Sequence, residues 1–93
     1  MNIKELINHQ SASLIDVRTP GEFLDGHVAN SINIPLNEVS DRVEEFKALN
    51  RPIIVFCLSG GRSGQAAAFL NANGVEEVYN GGGWQEVNEA LIA

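Results

Sequence analysis

The apolar positions change their period several times along the chain, and each change marks an element. Ile3, Leu6 and Ile7 recur at helical spacing and predict a short N-terminal helix. Ser13 to Val17 is a short, β-branched run that reads as a buried strand. Thr19-Pro20-Gly21-Glu22 then sets out a capping residue, a proline at the first helical position and a glutamate three residues after the cap, which predicts a short helix through about Leu24. Ser31 to Ile34 reads as a second strand closed by Pro35. Val39, Val43, Phe46 and Leu49 follow at i, i+4, i+7 and i+10 and predict one amphipathic helix, with Glu38, Asp41, Glu44 and Glu45 on its solvated face.

Pro52 to Phe56 is continuously apolar and reads as a third, central strand. Gln65 to Asn73 has the composition of a helix that Gly74 ends. Val75 to Tyr79 predicts a fourth strand, Asn80-Gly81-Gly82-Gly83 a turn, and Trp84 to Ile92 the last helix. Strands alternating with helices imply an α/β fold: a small, mostly parallel sheet of four to five strands with helices on both faces. No repeat or linker interrupts it, so residues 1–93 are expected to form one domain. In such sheets chemistry collects at the carboxyl ends of the strands.

Cys57, the only cysteine, stands at the end of the most apolar strand, before Leu58-Ser59-Gly60-Gly61-Arg62-Ser63-Gly64. A lone cysteine at a strand end is commonly a small buried hydrophobe. Here a glycine- and serine-rich loop and a helix follow it, so backbone N–H groups and the positive end of a helix dipole are expected to face the sulfur. The dipole contributes about 0.3–1 kcal/mol, up to roughly 2 when sheltered, and one pKa unit is about 1.36 kcal/mol. The dipole therefore moves a thiol by about one unit. Bringing it from about 8.5 into the reactive range of about 3.5–7.5 also needs direct hydrogen bonds and a nearby cation. Arg62 is the candidate cation. Gly60 and Gly61 fit a backbone that turns sharply and approaches a ligand closely, and fit an ordinary turn equally.

The formal charge of −6, from 12 acidic against 6 basic residues, repels phosphate backbones and anionic membrane surfaces, so neither nucleic acid nor membrane is an expected partner. One cysteine and two scattered histidines make no metal-ligand cluster, and no cofactor is called for. There is no signal-like N-terminus, no membrane-length apolar run, no pair of cysteines and no Asn-x-Ser/Thr acceptor; this points to the cytoplasm.

Taken together, Asp16-Val17-Arg18, Glu22-Phe23, Gly26-His27-Val28, Asn33-Ile34-Pro35, the loop Cys57 to Ser63 and Gly81-Gly82-Gly83-Trp84 resemble, in this order and spacing, a single-domain rhodanese. The resemblance implies a three-layer sulfurtransferase fold in which Cys57 takes a sulfane sulfur from a small-molecule donor such as thiosulfate. The persulfide would then pass it to a thiol, cyanide or protein acceptor. Leu58, Ser59, Gly60, Gly61, Arg62 and Ser63 would form the substrate-binding ring. Arg62 is either an anion contact or a clamp on the loop. Arg18 is either a second anion contact or a structural partner of Asp16 or Glu22. Asp16 and His27 read as structural hydrogen-bonding groups, His9 as a surface residue and Trp84 as a packing anchor.

A persulfide carrier or regulatory module with little turnover of its own is the alternative. A cysteine-dependent phosphatase or arsenate reductase fits less well: phosphatases of this kind place five residues between cysteine and arginine, against four here, and usually a histidine before the cysteine, where this chain has Phe56. Leu58 also stands where many thiosulfate-preferring relatives carry a basic residue, which weakens the expected attraction for a dianion.

Overall fold

Ile53–Cys57 is buried along its whole length, and the other elements are arranged around it. The computed structural model describes residues 1–92. This strand, β3, lies between β1 (Ser13–Asp16) and β4 (Val78–Gly83), and β2 (Ile32–Asn33) flanks β1. Every neighbouring pair is parallel, which requires a crossover between successive strands. Helix α2 (Pro20–Asp25) lies in the first crossover, α3 (Leu36–Val39) and α4 (Val43–Ala48) in the second, and α5 (Gly61–Ala72) in the third. Helices α1 (Ile3–Ile7) and α6 (Trp84–Ala90) stand at the two ends.

The pleat of β3 divides the core in two, because successive side chains leave a strand on opposite faces. Ile53, Val55 and Cys57 pack with Val39, Phe46, Ala66 and Leu70 from α3, α4 and α5. Ile54 and Phe56 pack with Ile7, Val28 and Val87 on the other face, under α1 and α6. Phe46, Ile54, Phe56 and Leu70 are fully enclosed, each worth about 1.5–3 kcal/mol of burial. This alternation aims the Cys57 side chain at the face covered by α5.

Local chemistry sets the helix ends. Thr19 Oγ1 accepts from the Glu22 N–H at 3.2 Å while Glu22 Oε1 accepts from the Thr19 N–H at 3.0 Å, the reciprocal box expected for α2. At the end of α5 the Val75 N–H donates to the Leu70 carbonyl at 3.0 Å and the Gly74 N–H to Asn71 at 3.4 Å, closing the helix where Gly74 predicts.

Three expectations need correction. The continuous helix expected over Val39–Leu49 is broken: α3 and α4 are separated by a 3₁₀ turn at Ser40–Arg42, where Ser and Asp compete for backbone hydrogen bonds and Arg42 leaves helical geometry at φ −118, ψ 25. Val39 and Phe46 still reach the core, so the periodicity identified the buried face but not the break.

The second concerns α5, which begins at Gly61, four residues before the expected Gln65, so that half of the presumed loop is the first helical turn. The third concerns Asn80–Gly83, which forms the second part of β4 and not a turn. Glu77, at φ +58, delays the start of that strand past Val75, and Gly81 is the extra residue of a bulge between the Val55 and Phe56 pairings.

The bulge depends on the missing side chain. A Cβ on Gly81 would stand 2.9 Å from Ile54 Cγ2 and 3.0 Å from Val87 Cγ2, inside contact distance of two buried residues. Gly21, in contrast, has open space around it within α2. Gly81→Ala is therefore expected to lower unfolding free energy by about 1–3 kcal/mol, and Gly21→Ala to raise it by about 0.4–1 kcal/mol. Chemical denaturation of the two variants measures both; equal effects would contradict the packing described for β4.

Candidate active site

Cys57 ends β3 only 1% exposed, and the chain then reverses around its sulfur. The reversal turns on Gly60, which has φ +103, a left-handed conformation that costs an L-residue about 1–2 kcal/mol and glycine little. From there the backbone enters α5, with the Gly64 N–H donating to the Gly60 carbonyl at 2.9 Å. The consequence is a donor aimed backward: the Gly60 N–H lies 3.0 Å from Cys57 Sγ. Ser63, one turn into the helix and fully buried, places its hydroxyl oxygen 3.5 Å from the same sulfur.

These donors decide the sulfur's ionisation. Burial pushes the thiol pKa up, but hydrogen bonds from the Ser63 hydroxyl and from the backbone N–H groups of Ser63, Gly60 and Ser59 outweigh it and bring the thiol down to about 7. Half of the sulfur is then anionic near neutrality, without a partnering histidine. Leu58, Ser59 and Gly61 form the exposed rim, and Leu58 is 60% exposed.

Arg62 points to α2. Its Nη1 and Nη2 donate to Glu22 Oε1 at 2.8 Å and Oε2 at 3.0 Å, a two-point bond that ties the cradle to the helix after β1. The Arg62 bond, followed by that from the Thr19 N–H, holds the Glu22 carboxyl down at about 2. Glu22 chiefly, and the negative sulfur to a lesser degree, strengthen the hold of Arg62 on its proton, so the guanidinium lies within electrostatic range of Cys57 while its hydrogen bonds are shared with Glu22. Beside it opens a cleft of about 490 Å³ with Val17, Pro20, Pro35 and Leu36 in its wall.

Arg18 is enclosed at 3% exposure. Its Nε donates to both oxygens of Asp16 at 3.0 Å, its Nη2 reaches Asp16 Oδ2 and the Gly26 carbonyl at 2.7 Å each, and its guanidinium lies 4.6 Å over the Trp84 ring. Of the two roles open to it in the sequence, this geometry is that of the structural partner: none of its bonds runs to the sulfur or to the cradle. Asp16 accepts the Arg18 backbone N–H as well. His27 bonds the Phe23 carbonyl through Nδ1 at 2.8 Å and stacks on the Phe23 ring, and His9 is exposed.

Two residues at the site escape a reading of local sequence. Glu22 reads only as a helix cap, since nothing nearby in the chain signals its bond to Arg62. Asn80 reads as a turn residue, yet its Oδ1 accepts from Ser63 Oγ at 2.7 Å and its Nδ2 donates to the Gly60 carbonyl at 3.0 Å.

A family model described as the rhodanese-like domain matches residues 2–90. The chain belongs to the rhodanese-like family. This rhodanese-like chain is 42% identical over 72 residues to the Bacillus subtilis (strain 168) protein YqhL, a match covering 77% of the chain and 56% of that protein. It thus spans little more than half of that relative's length. It is also 39% identical over 74 residues to the thiosulfate sulfurtransferase PspE of Escherichia coli (strain K12), covering 78% of the chain and 71% of PspE. Among solved structures, a rhodanese with anions from E. coli matches with a TM-score of 0.73 at 38% identity, over 81% of this chain and 89% of that one. The four-stranded parallel sheet with surrounding helices is accordingly a rhodanese fold.

The rate of Cys57 alkylation by iodoacetamide is expected to rise with pH and reach half its maximum near pH 7. A midpoint at the ordinary thiol value of about 8.5 would contradict the cradle's electrostatics. For the Arg62–Glu22 pair, the carboxyl is lowered from 4.5 to about 2, so its stabilising contribution is complete above about pH 4.5 and is lost as pH falls toward 2. Both side chains are about a third exposed, which limits the contribution to about 0.5–1 kcal/mol. Denaturation of Glu22→Gln against the native chain is expected to show a gap of that size at pH 6 that closes on acidification; a gap independent of pH would contradict the pairing.

Proposed function

We propose that this chain is a sulfurtransferase that carries a sulfane sulfur as a persulfide on Cys57, with residues 1–93 acting as one domain in the cytoplasm. The observation that carries the reading is the Gly60 N–H held 3.0 Å from a sulfur whose thiol pKa is about 7. Attack on sulfur needs a thiolate, and a thiol that titrates near ambient pH combines ionised fraction with retained nucleophilicity.

In the loading step the Cys57 thiolate attacks the outer sulfur of the donor. A new S–S bond forms, the donor's own bond to that sulfur breaks, and the donor fragment, sulfite in the case of thiosulfate, leaves with the electron pair. The negative charge then resides on the outer sulfur of the persulfide, where the ring from Leu58 to Ser63 receives it. A thiolate or cyanide acceptor attacks that outer sulfur, and the electron pair of the broken bond returns to Cys57. No metal or cofactor enters either step.

Arg62 acts first as the clamp between α5 and α2. Because Glu22 shares its charge, and because the chain carries a net −6, a free dianion is drawn only weakly to the site. Thiosulfate is therefore an assay donor more than a physiological one, and a thiol persulfide or a protein partner fits the site equally well. Leu58, standing where a basic residue would draw a dianion, favours a second reading, a persulfide carrier that exchanges sulfur with a protein partner and turns over poorly alone.

Incubation with thiosulfate followed by intact mass measurement is expected to show one added sulfur atom, removed by cyanide or a thiol and absent from Cys57→Ala. Arg62→Ala is expected to lower turnover about tenfold or more by loosening the cradle. An unmodified Cys57 with thiosulfate and with organic persulfides alike would overturn the proposal. Stoichiometric loading with multiple turnover near background would favour the carrier.

A further inference from the structure

One side chain on β4 grips two of the residues whose donors reach the sulfur. Asn80 donates through Nδ2 to the Gly60 carbonyl at 3.0 Å, and its Oδ1 accepts from the Gly82 N–H at 3.0 Å and from the Ser63 hydroxyl at 2.7 Å. Ser63 Oγ is also 3.5 Å from Cys57 Sγ. A serine hydroxyl has a single proton, so it serves one of these two acceptors at a time. With a neutral thiol, the amide oxygen at 2.7 Å is the better acceptor. With a thiolate, the charged sulfur becomes the stronger one, because hydrogen bonds to ionised acceptors are roughly twice as strong as neutral ones.

We propose that Asn80 is a positioning residue: it draws the Ser63 proton away from a sulfur without charge and yields it when Cys57 Sγ is anionic. The inference rests on the sulfurtransferase reading for its purpose, since that cycle moves charge on and off Sγ. Before loading, the charge is on Sγ and Ser63 donates to it. Once the S–S bond to the transferred sulfur has formed and the donor has left with its electron pair, the charge lies on the outer sulfur, Sγ is a neutral bonded sulfur, and the hydroxyl turns back to Asn80. When the acceptor removes the outer sulfur the electron pair returns to Sγ and the hydroxyl follows. No proton changes owner; a hydrogen bond changes partner. Asn80 thereby lessens the loss that Ser63 would suffer on loading.

The charged groups around the sulfur are engaged with other partners. Arg62 on α5 is paired with Glu22 on α2, Asp16 at the end of β1 with Arg18, and Glu86 on α6 accepts the Gly83 N–H at 3.0 Å. Tyr79 is the one titratable side chain on β4, and β3 carries none besides Cys57. Among the described residues none of these side chains other than Cys57 is hydrogen-bonded to Asn80 or Ser63.

The test reads Cys57 ionisation directly, by thiolate absorbance across pH, in the native chain, Asn80→Ala, Ser63→Ala and the double variant. Asn80→Ala frees the hydroxyl for the sulfur and is expected to lower the midpoint by about half a unit, while Ser63→Ala raises it. In the Ser63→Ala background the lowering is expected to disappear, leaving only a rise from release of the Gly60 carbonyl. A midpoint that rises or stays unmoved in Asn80→Ala, or that shifts equally with and without Ser63, overturns the proposal. Asn80→Asp, of the same size, supplies a reading should the alanine variant not fold: its charged oxygen keeps the Ser63 proton and adds repulsion, so the midpoint is expected to rise, and a fall or no change overturns the proposal. The measurement uses no sulfur donor, so failure of persulfide formation and failure of this inference are separate outcomes.

Discussion

A sulfur that is buried and yet half-ionised near neutrality has to be solvated by the protein itself. An unpaired charge taken out of water costs several kcal/mol, and here the hydrogen bonds from Gly60 and Ser63 stand in for the lost water. That requirement explains the local backbone. The left-handed turn at Gly60 reverses the chain so that an N–H points back at the strand's end, and α5 starts at once, bringing Ser63 one turn later over the same sulfur. Cys57 is held from below by the pleat of β3, which gives its side chain to the face that α5 covers.

Two neighbouring elements fix this reversal from outside, β4 in two ways. Helix α2 does so through the two-point bond from Arg62 to Glu22, whose other contacts cap α2 itself, so the start of that helix and the cradle are one unit. Strand β4 does so through Asn80, which holds the Gly60 carbonyl and the Ser63 hydroxyl. The glycines of β4 do so by absence: a Cβ on Gly83 would lie 2.7 Å from the Leu58 carbonyl oxygen, so the loop rests directly on the strand's backbone. Arg18, Asp16, Gly26 and Trp84 form a separate enclosed cluster at the end of β1.

What was legible in the sequence was what local periodicity and capping chemistry encode. The apolar run of β3, the Thr19–Glu22 box and the stop at Gly74 lie within a few residues of their cause, and the structure has them in place. The cysteine at a strand's end ahead of Gly60 and Arg62 was legible for the same reason. The start of α5 was not, because Gly61 and Gly64 have low helical propensity and are held helical by the cradle's own geometry. Nor was the strand character of Asn80–Gly83: a run of three glycines reads as a turn, and only the close approach of Ile54, Val87 and Leu58 explains why side chains are missing there. The Arg62–Glu22 and Ser63–Asn80 bonds join residues 40 and 17 positions apart, and no local pattern announces such pairs.

Backbone amides of the cradle, together with Ser63, bring the Cys57 thiol down to about 7. A nuclear magnetic resonance titration that follows the amide signals of Ser59, Gly60 and Ser63 as pH is raised from 5 to 9 reads this ionisation at the donors themselves. These amides are expected to shift together with one midpoint near 7, and the shift to vanish in Cys57→Ala. Amides that ignore pH over this range, or that shift identically without the sulfur, would contradict it.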